Sequence, residues 1–97
     1  IMKKNYLLLL IFLISCSQGG TEEFQSGEEV YEARCSACHG ANFEGQVGPS
    51  IDSKSPSASM PDSYWIQTIT KGKGSMPAVR LSDAEVSLVI EYIKNNY

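Results

Sequence analysis

Residues 33–45 read ARCSACHGANFEG, from Ala33 to Gly45, and what these residues do decides what kind of domain surrounds them. Cys35 and Cys38 stand three apart, His39 follows at once, and Gly40 comes next. A cysteine pair at this spacing serves as a redox disulfide, as half of a zinc site, or as the attachment point of a larger group. Whichever reading holds must also give His39 a role.

The rival chemistries lack what they need. A thioredoxin-like redox pair belongs in a βαβ context and has no use for an adjacent histidine; the flanking sequence carries no strand pattern. A structural zinc ion takes four ligands, and after Cys35, Cys38 and His39 residues 17–97 contain no other cysteine or histidine. A plain disulfide between Cys35 and Cys38 on a helix is strained. The remaining reading is C-x-x-C-H, the pattern of c-type haem attachment. Two thiols at a helix end span the two vinyl groups of a porphyrin, and the next residue, His39, is delivered beneath the iron as a ligand.

A haem that only moves electrons needs a second axial ligand, and a thioether sulfur favours iron(II) and raises the potential. Met60 and Met76 are the candidates. Met76 lies in GKGSMP, where Gly72 and Gly74 let the backbone fold close over a flat ring and Pro77 restrains it. Met60 is also followed by proline but sits in a serine-rich stretch, so Met76 is the expected ligand. A methionine that merely fills a gap is the ordinary alternative.

Working outward, the chain starts IMKKNYLLLLIFLISCSQGG. Lys3 and Lys4 precede an unbroken apolar run from Tyr6 to Ile14. This run is shorter than the roughly 20 residues that span a bilayer but suits a signal-peptide core. Leu13-Ile14-Ser15-Cys16 resembles a bacterial lipobox, which makes residues 1–15 a lipoprotein signal peptide and Cys16 a lipidated N-terminus. Residues 16–25 then read as a flexible tether, polar and glycine-containing. Without residues 1–15 the chain has six basic and eleven acidic side chains, a net charge of −5. That balance excludes nucleic acid as a partner, because phosphate neutralisation needs a basic face.

Residues 26–97 read as one all-α domain. Ser26 and Glu29 form a capping-box pattern ahead of a helix that carries Val30, Tyr31, Cys35, Ala37 and Cys38 on a loose apolar face. A second helix reads from DSYWIQTITKGKG, with Asp62 as N-cap, Trp65, Ile66 and Ile69 facing inward, and Gly72 as the stop. A third follows Ser82 and Glu85, another capping box. Its stripe is Val86, Val89, Ile90 and Ile93, and Lys94 complements the helix dipole near the end. About 72 residues with long loops bury too little apolar surface to fold with ease alone, so a bound group should supply part of the core.

Cys35, Cys38, His39, Gly40, Gly48-Pro49, Gly72 to Pro77 and Tyr92 together make residues 26–97 resemble a small class I, monohaem c-type cytochrome. The resemblance implies three to four helices around one covalently bound haem c, with crossed N- and C-terminal helices meeting at Gly27, Tyr31 and Tyr92. It implies that the Pro49 carbonyl orients His39, and that His39 and Met76 are the iron ligands. Tyr64 and Trp65 either donate to the haem propionates or pack against the ring.

The expected activity is single-electron transfer rather than enzymatic turnover, with redox proteins as partners and no small-molecule substrate. The carrier would be held by lipid on the periplasmic or extracellular face of a bacterial membrane. A haem sensor or peroxidatic enzyme with a displaceable methionine, and a relay subunit docked in a larger oxidoreductase, are the alternatives. Lys71, Lys73 and Arg80 flank Met76 and form either a positive docking rim or ordinary solvated charges.

Overall fold

The computed structural model describes residues 23–97. The signal-peptide segment 1–15, Cys16 and the tether up to residue 22 lie outside the described residues. Four α-helices follow in chain order: α1 (Gly27–Arg34), α2 (Ser36–His39), α3 (Asp62–Lys71) and α4 (Asp83–Asn96), with a 3₁₀ turn at Pro56–Ser59 between α2 and α3. Among the described residues there is no strand, and the one bridge pairs Lys73 with Met76. The domain is all-α, as the helical periodicities predict.

Helix α1 crosses α4, and the crossing depends on Gly27. A Cβ at Gly27 would run into the Leu88 carbonyl oxygen and the Tyr92 Cβ of α4, so only glycine allows the helices to approach this closely. Tyr31 and Tyr92 pack one turn further along, ring centroids 5.9 Å apart. Helix α3 also packs against α4. Val30, Tyr31, Trp65, Ile69, Val86, Val89, Ile90 and Ile93 are buried between them. Tyr31 donates its hydroxyl to the Gly40 carbonyl at 2.6 Å; burial pushes its pKa well above the ordinary phenol value, so it stays protonated as that donor.

Several local expectations need correction. The first helix does not run on through the cysteines: it breaks at Cys35 (φ −122°, ψ −40°), and α2 is a separate turn. Ala37 and Cys38 are therefore exposed rather than on the apolar face. Ser26 accepts from the Glu29 amide at 3.2 Å, which is half of a capping box. The full box is at α4, where Ser82 and Glu85 cap each other.

Pro61, not Asp62, occupies the N-cap of α3. Met60 before it is extended, as a residue preceding proline tends to be, and the helix begins at Asp62, one residue earlier than an Asp62 cap would place it. The Asp62 carboxylate instead pairs with Lys94 of α4, so Lys94 bridges two helices in addition to sitting near a helix end. Ile66 is 45% exposed and faces outward. The last residues assigned to the tether are also part of the domain: the Phe24 amide donates to Glu85 at 2.9 Å, and Arg34 lies over the Phe24 ring.

Candidate haem site

The loop after α2 folds back onto the turn that carries His39. The Gln46 and Gly48 amides both donate to the Cys38 carbonyl, at 3.1 and 2.8 Å, and the Gly45 amide donates to the His39 carbonyl at 2.7 Å. This brings Pro49 over the imidazole, and His39 donates its Nδ1–H to the Pro49 carbonyl at 2.8 Å. With Nδ1 so used, Nε2 is the nitrogen left with a lone pair, and the bond makes it the better donor to a metal. His39 is buried, 8% exposed.

His39 and Pro49 form part of the wall of a mostly apolar cavity of about 500 Å³. Cys35, Ile51, Trp65, Ile69 and Ile93 line it as well, and Met76 with Lys73 and Tyr64 complete it toward the surface. The structure thus brings together Cys35, His39, Pro49 and Met76, residues separated by up to 41 positions in the chain. Cys38 is exposed and is not among the lining residues, and neither Cys35 nor Cys38 is in a disulfide. Met60 is 38% exposed and lies outside the cavity wall. Cys16 lies outside the described residues.

The Met76 loop has its own local cause. Gly72 ends α3 with φ 80°, a left-handed conformation suited to glycine, and a Cβ there would press on the Met76 carbonyl oxygen at 2.6 Å. The chain then reverses through a tight turn in which Lys73 and Met76 exchange both backbone hydrogen bonds, at 3.0 and 2.9 Å. Beyond Pro77, the Val79 amide returns to the Ile69 carbonyl at 2.8 Å.

The donor set fits a haem. An imidazole nitrogen and a thioether share one apolar cavity, and a thiol stands on its wall. Burial, with a smaller contribution from Cys38, pushes the Cys35 thiol up to about 11, so at neutral pH it is an uncharged lining group. One buried polar atom needs a partner: Trp65 Nε1 has no acceptor among the described residues. A buried unpaired donor costs about 1–3 kcal/mol, and Trp65 lines the cavity, so a haem carboxylate would satisfy it. Phe43, absent from the expected site, is buried in the loop with φ 63° and packs edge-on against Tyr31 at 4.8 Å. Its sequence signal is slight, a lone aromatic in the polar run after the motif.

A helical shell around an apolar cavity, with Cys35 and His39 of the C-x-x-C-H turn on its wall, is the architecture of a covalent haem-binding domain. A family model described as Cytochrome C oxidase, cbb3-type, subunit III matches residues 22–93. Cytochrome c6 of Gracilaria tenuistipitata var. liui is 31% identical over 96 residues, covering 93% of this chain and 88% of the relative. Cytochrome c-551 of Bacillus subtilis (strain 168) is 32% identical over 68 residues, covering 69% of this chain. The cbb3-type cytochrome c oxidase subunit CcoP of Azospirillum brasilense is 30% identical over 98 residues. The matches span 58% of cytochrome c-551 and 32% of CcoP. The chain belongs to this cytochrome c family, as a small monohaem c-type cytochrome with covalently bound haem c.

Proposed function

We propose that the protein is a one-electron carrier in which Cys35 and Cys38 attach the haem, and His39 and Met76 hold its iron. The observation that carries this reading is the His39–Pro49 hydrogen bond on the wall of the cavity that Met76 also lines. Bound haem c supplies a one-electron iron(III)/iron(II) couple. The protein's own part is to keep that couple dry and fixed. Pro49 holds the imidazole plane, the 72–79 loop holds the thioether, and Ile51, Ile69, Ile93 and Trp65 exclude water.

If His39 and Met76 both hold the iron, no open site would be left for a small ligand to take readily, which would separate a carrier from a peroxidatic enzyme or a gas sensor. Outer-sphere transfer then needs only brief contact between a haem edge and a partner, over a small interface. Lys71 and Arg80 are exposed near the Met76 loop and would favour an acidic partner surface.

The protein works outside the cytoplasm, exported by residues 1–15 and held to a bacterial membrane by lipid on Cys16. Burial of acyl chains there contributes about 0.8 kcal/mol per CH₂. Residues 26–97, with Phe24 packed against them, form the haem domain. Among the described residues no helix is long and apolar enough to cross a membrane; in this reading the attachment is the lipid on Cys16. The tether confines the search for donor and acceptor proteins to a layer near the membrane and raises their effective concentration.

A second reading is favoured by the family model and by CcoP and FixP, relatives named as subunits of cbb3-type oxidases. There the domain would be a relay docked permanently in a larger complex. Stable co-purification with an oxidase in mild detergent supports the relay; isolation as a free haem protein supports the carrier. The test of the carrier itself is to challenge the oxidised protein with low concentrations of cyanide. An unchanged spectrum with its sulfur-to-iron charge-transfer band supports it, and ready ligand binding contradicts it.

A further inference from the structure

We propose that Tyr64 and Lys73 form a clasp that positions Met76, and that Tyr64, acting through Lys73, sets how readily the sixth ligand of the iron is displaced. This rests on the reading of Met76 as that ligand. The Lys73–Met76 turn is tied to the domain by few bonds. Upstream, the Gly72 amide donates to Thr68; downstream, Val79 donates to Ile69. Between those anchors the chain is exposed on both sides of Met76. The one side-chain hydrogen bond from this stretch among the described residues runs from Lys73 Nζ to the Tyr64 hydroxyl, at 2.8 Å.

The same ammonium sits 4.7 Å from the centre of the Tyr64 ring, so a cation–π contact adds to the bond. Tyr64 is on α3, whose Trp65 and Ile69 are fixed in the core. The connection is therefore short and directional: core helix, Tyr64 hydroxyl, Lys73 side chain, then the two backbone hydrogen bonds that Lys73 shares with Met76. Tyr64, Lys73 and Met76 all line the haem cavity. The Tyr64 phenol is held below its ordinary pKa, first by the Lys73 hydrogen bond, as expected when the lysine donates.

Removing either end of the clasp leaves Met76 in place but makes the turn easier to open. The phenylalanine variant at Tyr64 keeps the ring and deletes only the hydroxyl, so it reports the hydrogen bond. Because Lys73 is exposed, the effect is modest, about three- to tenfold in ligand affinity.

The test measures cyanide binding to the oxidised, membrane-bound or detergent-purified holoprotein, following loss of the sulfur-to-iron charge-transfer band. Tyr64→Phe and Lys73→Met should each retain that band before cyanide is added. Each should then bind cyanide about three- to tenfold more tightly, and the double variant no more tightly than the stronger single. Single variants within twofold of wild type overturn the clasp, as does a change in only one of them. A double variant whose effect is the product of the two singles also overturns it, because Tyr64 and Lys73 would then act separately, for example on a propionate and on a partner. Met76→Ala in the same assay separates the two levels. If it abolishes the band while Tyr64→Phe is inert, only the clasp fails; if it leaves the band intact, the ligand assignment fails and takes the clasp with it.

Discussion

His39 donates its Nδ1–H to the carbonyl of Pro49 at 2.8 Å, which joins the end of α2 to the loop ten residues on. The acceptor is a backbone atom, so its identity does not depend on a proline side chain. Proline's contribution is to stiffen the loop that presents it. That loop is itself fixed by the Gln46 and Gly48 amides on the Cys38 carbonyl, so the ring orientation is determined by local bonds near the attachment motif.

Pro49→Ala should therefore separate rigidity from ligation. The carbonyl remains, so the midpoint potential should stay within about 30 mV of wild type, half the shift of ~59 mV that corresponds to a tenfold change in a one-electron equilibrium. Stability should fall by about 0.4–1 kcal/mol, because the unfolded chain gains freedom. Redox titration and denaturant unfolding of the holoprotein check both. A potential shift well beyond 59 mV would mean that proline shapes the ligand directly.

Gly27→Ala probes the helix crossing. The added methyl would overlap the Leu88 carbonyl oxygen and Tyr92 of α4, and backbone cannot swing aside as a long side chain can. The expected loss is about 1–3 kcal/mol by overpacking, with the haem spectrum unchanged because Gly27, Leu88 and Tyr92 are not among the residues that line the cavity. A variant as stable as wild type would show that α1 and α4 do not meet as described.

Glu85 provides a pH dependence. Its carboxylate accepts from the Ser82 amide at 2.8 Å and the Phe24 amide at 2.9 Å, and these bonds, Ser82 first, hold its pKa below the ordinary 4.5. The unfolded chain therefore takes up this proton first as the pH falls. The stabilisation is complete above the ordinary value and is lost as the pH drops through the lowered native one. Compared with Glu85→Gln, wild type should have the higher Tm at pH 6, and the gap should shrink toward pH 3. A gap that stays constant over this range would contradict the assignment.

Much of this arrangement was legible in the sequence because its signals are local. Cys35-Ser36-Ala37-Cys38-His39 carries its chemistry in five consecutive residues, and Ser82 with Glu85 announces the α4 cap it forms. Gly72 is equally direct, a left-handed stop at the end of an amphipathic segment. What was missed depends on contacts between distant parts of the chain. Asp62 looked like an N-cap because its partner Lys94 is 32 residues away. Phe24 looked like tether because nothing nearby reveals that Glu85 receives its amide. Phe43 adopts φ 63° with its ring packed against Tyr31 and Tyr92, and no local propensity favours that backbone for an aromatic residue. That Met76 rather than Met60 reaches the cavity wall was also legible, through glycines rather than through either methionine.

Cys16 carries the account of location. Cys16→Ser, expressed with its signal segment, should yield a red protein in the soluble fraction with an unaltered haem spectrum, whereas wild type sediments with membranes. Retention of the variant on membranes would remove lipid anchoring from the account.

His39 and Met76 are the residues we propose would hold the haem iron. Met76 lines the cavity and Met60 does not, so the most direct measurement is the oxidised absorption spectrum of Met76→Ala beside Met60→Ala. Met76→Ala should lose the sulfur-to-iron charge-transfer band, bind cyanide readily and fall in potential, while Met60→Ala stays like wild type. Loss of the band in Met60→Ala, or its survival in Met76→Ala, would contradict the assignment.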